Sequence, residues 1–516
     1  MKRILLIVTA LLGVALAAGA KDTTAVVKAA LESRSNAYVD DPVTGSVDKD
    51  RRFASNDYLK VDFYKGRFSA GVQGEGYFPA LMGYPSELSG VSLSNAYAAW
   101  SGSRWSVTAG TIYEQFGSGL LFRTWEDRNI GLNNAVLGAR AAFNLGGALS
   151  VKALWGTPRY GVGFGSGTWV RGGDAVFRPT ALIPGSQMDA SLEASFLNTY
   201  NTAESVSRSG FSARMNLDWS GFFARLEYVG SGNDRGGNAQ LAELGYNGGS
   251  LGINVNLRRL DWMTAEIVDG KSSLVNMINY IPALCTQYTY MLAGMHPYHA
   301  MPGDGLADGE TGGQVDIFYR FRRGTPLGGR RGTRVHMNFS TYYSIAGPGS
   351  YRPAGLLMRD LSADVEKAFS ARLKANLLYS LQEFSPSYGT DDTRNRAHIL
   401  VADVLYKFTD AFSVRTELQY LFTKQYFSVL PRESGDWAAA LLELNFAPSW
   451  SVYIADMCNV GGTRNNYYNT GVSFTRAPFT VSLSWGRYKA GFLCSGGVCR
   501  MVPAYTGGGL NVNISF

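Results

Sequence analysis

Charge is scarce in this sequence. Asp, Glu, Lys and Arg supply 17% of the 516 residues, against roughly 25% in ordinary soluble proteins. Hydropathy does not rise in compensation; its mean is −0.08. Beyond residue 20 there is no run of about 18 apolar residues, which excludes membrane-spanning helices. Long amphipathic helical patterns are also missing, and no Pro/Ser-rich or charge-rich linker divides the chain. The formal net charge is +7, but the basic residues are scattered among acids, without the stripe that nucleic acid needs. No glycine-rich phosphate loop opens a helix, so no nucleotide site is expected. Cysteine is limited to Cys285, Cys458, Cys494 and Cys499, which suits an exported protein with disulfides.

Glycine is plentiful (61 residues), and so are aromatics (13%), with Tyr and Phe far ahead of Trp. The opening MKRILLIVTALLGVALAAGAKD has a basic start at Lys2 and Arg3, an apolar core from Ile4 to Leu16, and the small-residue site Ala18-Gly19-Ala20. It reads as a signal peptide over 1–20, cut before Lys21. The mature chain is then 21–516, with no Cys near the cut to take a lipid.

From there the dominant pattern has a period of two. FSARMNLDWS sets Phe211, Ala213, Met215, Leu217 and Trp219 against Arg214, Asn216 and Asp218. QVDIFYRFR, RVHMNFST, LGINVNLR and SVRTELQY repeat the scheme, each about ten residues long. Short turns, such as those at 65–67, 101–103, 220–221, 247–249 and 477–478, alternate with longer polar loops near 113–134, 198–208, 260–312 and 489–506. Including the weaker segment Val170–Arg178, the count is about 24 strands, with roughly 22 to 26 compatible, and both chain ends lie on the short-turn side. A soluble sandwich would need a second sheet over every apolar face. Strands that stay half polar, at a length matching the hydrocarbon core, fit a closed antiparallel transmembrane β-barrel in an outer membrane. Short turns would then be periplasmic and long loops extracellular. The last residues, LNVNISF, alternate in the same way and end on Phe516.

One segment goes beyond generic barrel texture: GTIYEQFGSGLLFRTWEDRNIGLNNAVLGARA, from Gly110 to Ala141. With EGYFPALMGYP (Glu75–Pro85) and PALCTQYTYMLAGMHPY, it resembles an uncharacterised outer-membrane barrel family of Bacteroidota. Tyr113-Glu114-Gln115-Phe116-Gly117 and Trp125-Glu126-Asp127-Arg128 are the most specific pieces. The resemblance implies a fold and a location, without an activity. Phe516 likewise resembles the aromatic end of many outer-membrane barrels, which implies the barrel-assembly machinery as a partner.

Several groups are candidates for function. Glu114, Arg123, Glu126, Asp127 and Arg128 fall in a long outer loop and can form either a latch on the wall or a constriction; their balanced charges favour the latch. Inward charges by alternation are Arg214, Asp218, Arg225, Glu227, Asp316, Arg320, Arg322, Arg334, Arg372, Lys374, Arg415 and Glu417. They can set solute preference or fill the interior with cross-strand pairs. The loop 260–312, rich in Met, Tyr and Pro, is the main candidate for a plug. Its His296 and His299 lack further ligands at metal spacing. His336 and Ser340 lie about 13 Å apart along a strand, too far for base and nucleophile. No enzyme, metal or cofactor is expected. Cys494 with Cys499 forms a natural small disulfide, and Cys285 with Cys458 a second candidate. The sequence therefore points to a channel or conduit for polar solutes. The alternative is a scaffold barrel that binds a periplasmic or surface protein.

Overall fold

The structure, a computed structural model, describes residues 24–516 apart from 233–235, 264, 269–270, 272–273, 295–308, 426–432 and 496–497. Its frame is a single 24-stranded antiparallel sheet. The first strand, Val26–Val39, pairs with the last, Tyr505–Ser515, in a register running from Ala30↔Ser515 to Val39↔Thr506. The sheet is thus a closed barrel with no free edge. Phe516 continues the seam: its N–H donates to the Ala29 carbonyl at 2.8 Å, and the Ala29 N–H returns to Phe516 at 3.2 Å. Among the described residues, helix is confined to the short 3-10 turns Lys49–Arg51, Pro179–Leu182 and Leu274–Asn276. The signal peptide, His296 and His299 lie outside the described residues.

The alternation of the sequence becomes the two faces of the wall. Along Val206–Trp219, Phe211, Met215 and Trp219 are exposed on the outside, while Ser212 and Arg214 are buried on the inside. The turn that follows consists of Ser220 and Gly221, with φ of 49° and 87°. Two positive φ values in a two-residue loop match the right-handed twist of the flanking strands.

The outer surface is zoned. Near the short turns, aromatic rings pair around the wall: Phe222–Tyr246 at 4.7 Å, Phe412–Phe446 at 5.0 Å and Trp450–Phe474 at 4.8 Å between centroids. Toward the other rim lie Trp155–Trp169 at 4.8 Å and Phe211–Tyr228 at 5.9 Å. Between these belts the exposed side chains are aliphatic, among them Leu226, Leu418, Ile454, Leu483 and Leu510.

Two connections differ from the sequence reading. The expected loop 198–208 shrinks to a turn at 202–205, because Met188–Asn201 and Val206–Trp219 both extend to 14 residues and pair along their whole lengths. Polar residues such as Asn198 and Ser207 look like loop composition, yet they bond to each other across the ladder at 2.9 Å. On the short-turn side, 178–187 and 322–332 are longer than their neighbours.

Candidate functional site: a lumen crossed by two inward segments

The connection 113–135 folds down into the barrel. Its first turn is a hairpin, Gln115–Phe116 against Phe122–Arg123, closed by Gly117 and Gly119 with φ of 56° and 97°. Beyond its positive φ, a Cβ at Gly117 would lie 2.6 Å from both Arg214 Cδ and Glu227 Oε1 of the wall, so these side chains would have to shift. Phe116, Leu120 and Phe122 are fully buried and form a core with Leu154, Val170, Leu197 and Val229 of the wall. An apolar cluster therefore sits inside the barrel, where burial drives the docking.

Polar contacts fix its position. Glu114 accepts from Lys152 Nζ at 2.9 Å and from Arg140 Nε. Burial pushes its carboxyl upward, but the bonds from Lys152 and Arg140 outweigh this and hold it below the usual range. The Ser118 N–H donates to Glu227 Oε2 at 3.1 Å. Arg128 donates to Glu32 Oε2 at 2.6 Å and to Gln73 Oε1 at 2.9 Å, and its guanidinium lies 4.4 Å from the Tyr58 ring centroid. Glu126 accepts from Gln73 Nε2 at 2.7 Å. Asp127 stays local, accepting from the Asn129 N–H at 2.9 Å.

The second segment, described over 262–294, enters beside the first. Arg123 joins the two, with its guanidinium 4.4 Å from the Trp125 ring and 4.1 Å from the Tyr280 ring. The Tyr280 N–H donates to Gly119 at 2.9 Å, and Asn279 Nδ2 to the Leu120 carbonyl at 3.1 Å. The segment then crosses toward the opposite wall. Tyr342 Oη donates to the Leu284 carbonyl at 2.6 Å, Tyr288 bonds to Ser362, and Tyr290 accepts from Asn376 Nδ2 at 3.0 Å. Asn376 is close to the short-turn end of its strand, Leu373–Phe384, so the chain has descended through most of the barrel. The Leu292 N–H donates to Gln419 at 2.9 Å, and Leu292 is buried against Trp437 and Tyr467.

The inward charges are largely paired. Arg214 sits between Asp174 and Glu193, Arg225 meets Asp218 at 2.6 Å, and Glu227 accepts from Ser212 Oγ at 2.9 Å. His336 lies between Asp364 at 2.8 Å and Asp316 at 3.2 Å. Arg334 and Lys374 share Glu366, at 3.1 and 2.6 Å. Arg415 binds Asp403 at 3.0 Å and also Glu417. Arg320 stands opposite Arg334 on the inward parity, exposed at the strand end. Two expected positions differ: Arg322 and Arg372 lie in the turns, where alternation no longer assigns a face. Ser340 donates to Asn338 Oδ1 at 3.3 Å and takes no part in the His336 group.

The sequence reading missed several of these partners. Glu32, Arg140, Lys152, Asp174 and Glu193 all stand at inward positions, and the same alternation could have found them. The buried pair Arg159–Glu75 joins the residue after the strand Leu149–Pro158 to the strand Phe68–Tyr77, which is not its neighbour, and no local signal announces it. Cys494 and Cys499 are bonded within the hairpin Gly491–Ser495/Val498–Val502. The second expected bridge is absent: Cys285 and Cys458 are free thiols. Cys285 packs inside against Tyr342, Leu357 and Met358, where burial pushes its thiol up to about 12. Cys458 follows the outward parity of Val452 and Ile454, so the wall lies between them.

Several solved structures share the barrel shape. The P pilus usher (PapC) translocation pore aligns at 9% identity, TM-score 0.48, covering 95% of this chain and 99% of that one. The copper transporter OprC aligns at 12% identity, TM-score 0.43, covering 96% and 83%. The siderophore receptor PirA from Pseudomonas aeruginosa aligns at 9% identity, TM-score 0.41, covering 96% and 81%. No functionally curated protein matches the sequence. The match that spans residues 1–516 is to the family of unknown function DUF6029, and the chain belongs to that family.

Proposed function

We propose that the protein is an outer-membrane barrel acting as a conduit for polar solutes, held narrow by its own segments 113–135 and 262–294. The outer surface supports the address: an aliphatic band between two aromatic belts is what a bilayer and its interfaces require. One observation carries the conduit. Beside their apolar contacts, the inward segments are held to the wall by ion pairs and hydrogen bonds at Glu114, Arg128, Tyr290 and Leu292, and such contacts can be exchanged for water, as a gate needs. A second reading keeps the barrel but makes it a scaffold for a protein partner. It is favoured by the mutual interlocking of the two segments through Arg123, Tyr280 and Asn279.

The test is single-channel conductance of the refolded, full-length mature protein in planar bilayers, alongside Gly117→Val. Valine at this site combines a strained positive φ with contacts on Arg214 and Glu227, and is expected to loosen the hairpin from the wall. The conduit reading expects conductance that rises in the variant. Two folded, inserted proteins that are both silent would leave the scaffold.

A further inference from the structure

The inner wall is chemically asymmetric. Consider the four consecutive strands Trp450–Asn459, Asn466–Arg476, Phe479–Tyr488 and Tyr505–Ser515. Their outward positions are fixed by Trp450, Val452, Ile454, Leu483, Trp485 and Leu510, all exposed and apolar. The alternate, inward positions carry Ser, Thr, Asn, Tyr, Gly, Ala and Met, and not one Asp, Glu, Lys or Arg. The register turns this into rows. Ser451 faces Ser473, Ser473 faces Ser482, and Ser482 faces Asn511. Below that row, Thr475 faces Thr480, and Thr480 faces Asn513. The charged positions resume at once on either side, with Glu443 before the arc and Glu32 and Arg34 after it.

On its short-turn half this arc is also open, whereas toward the other rim Ala455, Asn459 and Tyr467 are buried, and Tyr467 packs with Leu292 of the second segment. Ser473, Ser482 and Asn511 keep part of their surface accessible, and Thr475 and Asn513 are exposed. Inward position and exposure together mean a wetted face. Among the described residues, no hydrogen bond or ion pair joins either inward segment to these four inner faces, whereas both segments bond repeatedly to the strands elsewhere. The charges of the lumen are thus concentrated where the segments dock, and are mostly consumed in pairs. What is left facing water is a strip of hydroxyls and amides.

We infer that the short-turn half of the route through the barrel runs along this neutral strip, and that its solutes are uncharged and polyhydroxylated, of the sugar class. Each Ser, Thr and Asn side chain both donates and accepts, so a row of them can exchange hydrogen bonds with successive solute hydroxyls. Without fixed charge, the strip neither concentrates ions of one sign nor binds them. The inference rests on the conduit reading, and the test separates the two.

Proteoliposomes of the full-length mature protein are compared for swelling in glucose, gluconate and glucosamine, which are close in size and differ in charge. Bilayer permeability for potassium against chloride is measured for the wild type and for the double variant Ser482→Asp/Asn511→Asp. Ser482→Cys is treated with a hydrophilic maleimide, with wild-type labelling as background. The expected result is fastest swelling in glucose, little preference between potassium and chloride, a clear shift toward potassium in the double variant, and labelling of Ser482→Cys. Flux without that shift and without labelling would overturn the neutral route and leave the conduit standing. Absence of flux from folded proteins, even with Ser482→Cys labelled, would remove the conduit and this inference with it.

Discussion

At the scale of the residue, Arg128 best shows what the inward segments depend on. Its guanidinium is half-buried, hydrogen-bonded to Glu32 and Gln73, near Glu126, and laid on the Tyr58 ring. Arginine alone offers a planar fork for such a set, which lysine cannot reproduce. Replacement by Ala would take from Glu126 its cation and leave Glu32 with Arg34 alone, and the cost of undocking should fall by about 1–3 kcal/mol. The barrel itself should be unaffected, since no strand pairing involves this side chain. Arg128→Ala is therefore expected to migrate as a folded barrel in unheated gels, yet to be cut within 113–135 by added protease faster than the wild type. Gly165→Ala, at a site with nothing within 4 Å of a new Cβ, serves as the control. Equal cleavage of Arg128→Ala and wild type would show that the arginine does not hold the segment.

At the scale of the element, the strands were legible and the connections only in part. A strand facing lipid and lumen must alternate, so Phe211, Met215 and Trp219 announce their face by spacing alone. Composition also exposes the loop 260–312 as too apolar for a solvated loop. It cannot reveal where Tyr288 or Leu292 will land, because Ser362 and Gln419 are distant in sequence and ordinary in type. The loop expected at 198–208 failed for the opposite reason: a polar lumen lets strands carry Asn and Ser, which elsewhere mark turns.

The terminal hairpin Gly491–Ser495/Val498–Val502 gives an element-level prediction. Its Val498 packs on Ile130 and Leu132 of the first inward segment, and Arg500 donates to the Asn129 carbonyl at 2.9 Å. The Cys494–Cys499 bond closes so small a loop that its removal should cost about 2 kcal/mol, confined to the hairpin. Reduction with dithiothreitol should leave the barrel resistant to unfolding in detergent while raising amide exchange in 491–502 and around 129–132. Exchange that rises in the hairpin alone would mean it does not brace the inward segment.

At the scale of the whole molecule, the wall and its contents are separable. The barrel closes through backbone pairing from Val26–Val39 round to Tyr505–Ser515 and needs no interior residue to do so. A ring this wide leaves a lumen that side chains alone do not fill. The two inward segments then occupy it by burying Phe116, Phe122, Ile278 and Leu292, none of which belongs to the wall. Replacing 114–133 with a Gly/Ser linker of equal length should therefore yield a barrel that still folds and inserts, because both flanking strands, Trp105–Ile112 and Val136–Leu145, keep their full register to each other. Its conductance should exceed that of the wild type several-fold, and the second segment, deprived of Gly119, Leu120 and Arg123, should become sensitive to protease. A replacement that fails to insert would show that the contents help to build the wall. One that inserts and conducts no better would show that the second segment closes the passage by itself, and would move the gate from the first segment to the second.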